Sequence, residues 1–470
     1  MRKNSAVISF ILTLFLLSVL PCMAYGAEET QIKTKIKHTV KAEGEYENWE
    51  GVSNVSQFIG SDGEFWFAYN GKENVTVVST VEGKIRDKLK LKKQHGSFGA
   101  VCSDDGGNFY VVTGEEKKGD NTDQETVFIT KYDSAGNPVK TVGNCGDSSI
   151  SDHYGSCYRT MTPFDAGNCD VDINGGYLAV NYARTMYNGH QSNSVWVVDT
   201  ESMNTIRPPE EVFYIPVFDD GVYFTESTDI YNSHSFGQRT VRYGDGFLFM
   251  SEGDAYERAF SLCRWDLKRK TVSQDDIFHF WIKPGSSDDM YVVNNNFAHI
   301  GDIAVLSDGK AAFTATSVPS MTADAEKESE QLFIQIFDPA GDLNTAEGYM
   351  TTGERSGTTG IDGLKEAQDH GVKWLTEDKK FLYRHPQMVS TGDRLVILYE
   401  KCAKKTGKLK GVFYMVLDPS GNVISESKKF KPNASLNPCE TPVYTKGSIY
   451  WVSNKSSRKG KMFVYRIKLD

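Results

Sequence analysis

One punctuation recurs from end to end of this chain: a turn closing on Gly, or on Gly-Asp, is followed at once by an apolar or aromatic strand. It reads SDGEFWFAYN from Ser61, SDDGGNFYVVTG from Ser103, INGGYLAVNYA from Ile173 and YGDGFLFMSE from Tyr243. It returns as LSDGKAAFTATS from Leu306, STGDRLVILYEK from Ser390 and YTKGSIYWVSN from Tyr444. Gly and Asn supply the positive φ that such tight hairpins require. A second pattern follows most of these, an apolar strand, a turn and another strand. Examples are TVFITKYDSAGNPVKTV from Thr126, QLFIQIFDPAGDL from Gln331 and VFYMVLDPSGNVISES from Val412, with looser versions from Ser194 and Ser261. Helical periodicity is confined to Ile361–Leu375.

Joined, the two patterns make a unit of four antiparallel strands, and such units repeated about an axis are the blades of an all-β propeller. The repeat predicts blades near residues 46–90, 98–143, 167–226, 236–281, 297–351, 385–430 and 438–470. Seven is the expected number, with six or eight as alternatives because 207–232 and 353–383 are ambiguous. The last unit supplies three strands. The alternating segment QIKTKIKHTVK, Gln31 to Lys41, is the expected fourth, closing the ring; a free N-terminal arm is the alternative. At blade level these turns resemble those of bacterial secreted propellers in general. There is no Gly-His…Trp-Asp pairing of the WD type and no regular Gly-Gly pair of the kelch type, and the resemblance carries no functional residue.

Arg2 and Lys3, the apolar run Val7 to Leu20 and the small residues Ala24-Tyr25-Gly26 read as a cleavable export signal over residues 1–26. Residues 27–470 are then one propeller domain, expected to be secreted. The run is short for a membrane span, and no second one follows. Asp and Glu number 62 against 52 Lys and Arg, so a polyphosphate partner is disfavoured. Loss of Arg2 and Lys3 deepens that imbalance. Of 8 cysteines, Cys22 lies in the signal. Among the rest, Cys145 with Cys157 or Cys169, and Cys402 with Cys439, are candidate pairs whose connectivity spacing does not decide. No CxxC occurs, so no metal and no cofactor is expected.

In a four-stranded blade the turns between strands one and two, and three and four, fall on one side of the disc. The loops between strands two and three, and between blades, fall on the other. Here the first set is short and generic and the second is long and varied, which points to the second face as the functional one. Its richest loops belong to blades three and four and carry Arg184, His190, Gln191, His234, Gln238, Arg239, Asp254, Tyr256 and Arg258. Arginines grip carboxylates and tyrosine rings stack on sugars or backbone, so this set suits a polar ligand, a glycan or a peptide, and a surface protein is a further candidate partner. The competing reading is a network that knits the loops together, to which strand-embedded Gln238 and Arg239 are most open.

The remaining motifs are weaker. Asp170-Val171-Asp172-Ile173-Asn174-Gly175 opens like a calcium loop, but Asn181 stands where the bidentate Glu is needed, and it reads equally as strand and turn. Ser103 to Tyr110 approximates, once, the aspartate box of sialidase-type propellers, which is a folding turn. Ser233-His234-Ser235-Phe236-Gly237 lacks the first Gly of a nucleophile elbow. The basic run Lys84 to Lys93 reads as a solvated outer strand. No catalytic constellation emerges. A non-enzymatic recognition or scaffold propeller is the leading expectation, and a carbohydrate-active enzyme, lyase or hydrolase, is the alternative, with His190, His234 or Tyr256 moving protons.

Overall fold

The computed structural model describes residues 31–40, 54–117, 124–145, 159–186, 191–207, 213–219, 221–227, 234–253, 259–279, 298–319, 329–340, 372–454 and 460–469, with 189 and 232 between them. Residues 1–26, read from the sequence as an export signal, lie outside the described residues. These strands form seven four-stranded antiparallel sheets in a ring, and no helix occurs among the described residues. The fold is an all-β, seven-bladed propeller.

Blade one runs Val55–Ile59, Phe65–Asn70, Asn74–Val81 and Lys84–Lys92, from the axis outward. Blade two is Ser97–Ser103, Phe109–Gly114, Val127–Tyr132 and Pro138–Asn144. Blade three is Cys169–Asn174, Tyr177–Met186, Gln191–Asp199 and Thr205–Ile206, and the short strand Thr160–Pro163 pairs with the far end of its second strand. Blade four is Ser235–Tyr243, Gly246–Gly253, Ala259–Asp266 and Thr271–His279. Blade five is His299–Val305, Ala311–Ser317, Gln331–Phe337 and Val372–Trp374, and blade six is Phe381–Ser390, Leu395–Ala403, Leu409–Leu417 and Val423–Lys429. Blade seven has Val443–Thr445, Ser448–Asn454 and Gly460–Lys468, and its outermost strand is Gln31–Val40, paired from Gln31 with Ile467 to Val40 with Gly460. The expected closure by the N-terminal segment is therefore present.

The core is not one mass but seven seams. Apolar side chains form a cluster between each pair of neighbouring blades, such as Phe65, Phe67, Tyr450 and Val464 between one and seven, or Leu248, Phe260, Phe313 and Phe333 between four and five. Strands in the middle of a blade bury both faces, which is why Phe247-Leu248-Phe249-Met250 is an unbroken apolar run rather than an alternating one. Outermost strands face water instead, and Val139 and Ile424 are exposed there.

The turns repeat one chemistry. Asp133 accepts the backbone N–H groups of Ala135 and Asn137 through Oδ1, while Asn137 Nδ2 donates to its Oδ2. Asp418 and Asn422 do the same, and Asp104 with Asn108 builds a close relative. The Asp replaces missing backbone partners and fixes the strand-to-strand register.

Four sequence expectations need correction. Blade three ends at Ile206; Phe213–Asp219 and Gly221–Ser227 form a separate hairpin rather than its last strands. Blade five does not end near residue 351, because its outermost strand is Val372–Trp374, which pairs with Gln335 to Phe333. That strand also replaces the end of the helix expected over Ile361–Leu375, whose earlier part lies outside the described residues. The Cys402–Cys439 and Cys145–Cys169 bridges are absent, since Cys402, Cys145 and Cys169 are free thiols; Cys157 lies outside the described residues.

Deleting residues 27–40 removes the strand that covers the edge of Gly460–Lys468. The expected result is a fall in melting temperature of roughly 10 °C or more, with self-association through the bared edge. Calorimetry and sedimentation check it, and an unchanged, monomeric melt would refute closure by this strand.

Candidate functional site

The innermost strand of each blade pairs with its neighbour on one side and presents its other edge to the axis, where backbone N–H groups lack ladder partners. Polar side chains from the adjoining blade fill that need. Ser56 Oγ accepts Val101 N–H at 3.0 Å, and Asp170 Oδ2 accepts Thr240 N–H at 2.6 Å. Asp172 Oδ2 takes Arg242 N–H at 2.9 Å, Glu252 Oε2 takes Ile300 N–H at 3.1 Å, and Asp302 Oδ2 takes Met388 N–H at 3.0 Å. Glu440 Oε2 accepts Gln57 N–H at 3.0 Å, while Gln387 Nε2 donates to the carbonyls of Asn437 and Glu440.

At the centre these contacts become a network that crosses the axis. Arg239 of blade four donates from Nε to Asp302 of blade five at 2.8 Å, and from Nη2 to the carbonyl of Pro438 beside blade seven at 2.6 Å. Thr441 donates to the same Asp302 oxygen at 2.6 Å. Arg239 is 3 % and Asp302 0 % exposed. Burial pushes the Asp302 carboxyl above its usual range, against the pull of Arg239 and three hydrogen bonds. A charge pair this deep costs desolvation, which Arg239, Thr441 and the Met388 N–H offset in part.

Beside this plug lies a cavity of about 850 Å3, lined by all seven blades from the ends of their innermost strands and the hairpin turns that follow. Its wall carries Asp104, Asp105, Asp170, Asp172, Glu440, Arg239 and Arg242. Arg242 is bound to Asp172 at 3.0 Å, so both cations already hold carboxylates. Burial raises the Asp170 carboxyl to about 7, with Arg239 and the Thr240 N–H acting the other way. The stretch from Asp170 that opens like a calcium loop is instead strand and hairpin: Asp170 pairs with Asn181, and Gly175 and Gly176 turn the chain at φ 54° and 89°. Among the described residues no group of three or more His, Cys, Asp or Glu is arranged to hold a metal ion.

This cavity opens among the tight hairpins, on the face opposite the long loops. Of the nine residues selected from sequence, Arg239 lines it. Arg184, Gln191 and His234 are brought together on the loop face, where the His234 N–H donates to the Gln191 carbonyl at 2.7 Å. Arg184 is fully buried and donates to Ser192 and Thr160. Gln238 is fully buried against Ser235, Ser251 and Asn168. Both therefore tie blades and loops together within the protein. His190, Asp254, Tyr256 and Arg258 lie outside the described residues. Asp170, Asp172 and Glu440 were not selected, although the alternation of Asp170 and Asp172 with Val171 and Ile173 in a first strand puts both carboxylates on one face.

The fold and the site define a seven-bladed propeller with a charged axial cavity. No known family model and no curated protein matches the sequence. Among solved structures the chain is similar to an ulvan lyase of a polysaccharide lyase family, at 10 % identity and a TM-score of 0.46 over 91 % of this chain and 95 % of that one. It is also similar to an alpha-L-arabinanase of Cellvibrio cellulosa complexed with arabinohexaose, at 10 % identity and a TM-score of 0.32 over 71 % and 96 %. A subtype N10 neuraminidase-like protein matches at 8 % and 0.38 over 83 % and 97 %. These are distant likenesses of architecture and transfer no residue.

Two outcomes follow from the axial network. Arg239→Met leaves Asp302 buried without its cation and should cost about 3–5 kcal/mol in urea unfolding; a cost near zero would show that the pair is not buried as described. Asp170 is raised in the folded chain, so folding favours its neutral form. Stability contributed by this carboxyl is full below about pH 4 and is lost as pH rises to about 7, by up to about 4 kcal/mol. Asp170→Asn should flatten the wild-type fall across that window, and matching urea midpoint curves for the two proteins would contradict it.

Proposed function

We propose that this chain is an exported recognition propeller that binds a polar ligand, a glycan or a peptide, in its axial cavity. The cavity itself carries the reading. About 850 Å3 is room for a segment of oligosaccharide or peptide, and all seven blades contribute to its wall. The hydrogen-bonding groups there sit on strand ends and hairpins held from both sides by the seams, so they are ordered before any ligand arrives, which lowers the entropy cost of binding. Gln191 and His234 on the opposite face are the candidate contacts for a surface protein.

A second reading, a carbohydrate-active enzyme, draws support from Asp170. A carboxyl that burial holds near pH 7 is suited to giving or taking a proton, and Asp172 stands on the same face two positions on.

A glycan and peptide binding screen, run beside a polysaccharide degradation assay, separates the readings. Saturable binding without turnover, weakened about tenfold by Asp172→Asn and Asp170→Asn, is the expected result. Turnover abolished by Asp170→Asn would replace recognition with catalysis. Binding that survives both changes and is lost in a Gln191→Ala/His234→Ala protein would move the site to the loop face.

A further inference from the structure

The outermost strand of blade one carries Lys84, Arg86, Lys88, Lys90 and Lys92 in a protein whose net charge is −10. Arg86 is neutralised by Asp62 at 2.6 Å and Asp87 at 3.1 Å. The four lysines are exposed, and none forms an ion pair among the described residues. Leu91 on this strand is buried against Phe98, Val101 and Tyr132 of blade two, with Leu89 packed beside it. Alternation along the strand therefore turns Lys88, Lys90 and Lys92 the other way, toward blade seven.

We propose that the rim between blades seven and one binds an anionic polysaccharide, with Lys88, Lys90 and Lys92 as its principal contacts. Alternate residues of a strand stand about 6.8 Å apart, a spacing suited to a chain with about one charge per sugar. Duplex DNA carries one charge per about 1.7 Å, a density that this spacing does not match. Single-stranded nucleic acid is held largely by stacking on aromatic rings, and Lys84–Lys92 contains no aromatic residue. Lysines on an outer strand also deter edge-to-edge pairing, so a test must separate ligand binding from that role. The proposal is independent of the axial cavity.

The test uses the whole mature chain with polygalacturonate as the probe, and with neutral dextran and a DNA oligonucleotide for comparison, all in low salt. Polygalacturonate should bind and dextran should not, and added salt should weaken the binding. Lys88→Glu/Lys90→Glu/Lys92→Glu should reduce affinity about tenfold or more with an unchanged melting temperature. The same reversals at Lys404, Lys405 and Lys408 of blade six should leave affinity within about twofold. No polygalacturonate binding, an equal loss in both triple variants, or tighter binding of DNA would each overturn the proposal. So would a rim variant that self-associates while its affinity for polygalacturonate is unchanged.

Discussion

Everything in this molecule rests on each blade having both faces covered. A four-stranded sheet buries one face poorly on its own, and here each sheet gives one face to the blade before it and one to the blade after. Aromatic and branched side chains fill every seam, from Phe65 on Tyr450 at 5.0 Å between blades one and seven to Phe278 on Phe333 at 4.7 Å between four and five. The arrangement has no end strand to protect at the seams, provided the ring closes. Pairing of Gln31–Val40 with Gly460–Lys468 meets that condition.

Burying seven sheets edge-on around an axis creates a second demand, since the inner edges converge where little water reaches. Carboxylates and amides answer it by bonding to the neighbouring blade's backbone. Acidic side chains are thus concentrated at the axis for a structural reason before any ligand is considered. Asp302 shows the principle at its limit, holding Arg239, Thr441 and the Met388 N–H at once. Asp170, nearer the cavity, accepts the backbone N–H groups of Thr240 and Val171 and has a carboxyl pushed toward neutrality. The same chemistry that locks the ring grades outward into chemistry available to a ligand.

The architecture was legible because its signals are local. Gly-terminated hairpins, Asp-x-x-Gly-Asn turns and continuous apolar strands each follow from a few adjacent residues, and their repetition gave the blade count and the closing strand. What was not legible depends on long-range placement. Val372–Trp374 is three residues long and far from its partner strand, too little pattern to announce itself. The two cysteine pairs fitted the expected export, yet Cys402 and Cys169 are buried free thiols, and Cys169 packs in the seam between blades two and three as a small apolar group. Loop length pointed to the face bearing Arg184 and His234, whereas the charged cavity lies under plain turns such as Ser103 to Gly106. Polar residues in a first strand were the available signal; Gln238 and Arg239 were read as candidate ligand contacts, and Asp170 and Asp172 as a calcium-loop opening or a plain strand and turn.

The closing strand also orders events in time. Residues 31–40 leave the ribosome before the other blade strands, but their hydrogen-bonding partners, 460–468, follow all of them. Six blades can stack as they appear, while the seventh waits for residues 460–468, so the slowest and most distant contact in sequence completes the ring. Until then one blade edge and one seam stand open, and a chaperone that shields the nascent N-terminus would govern how much of the product matures rather than misassembles.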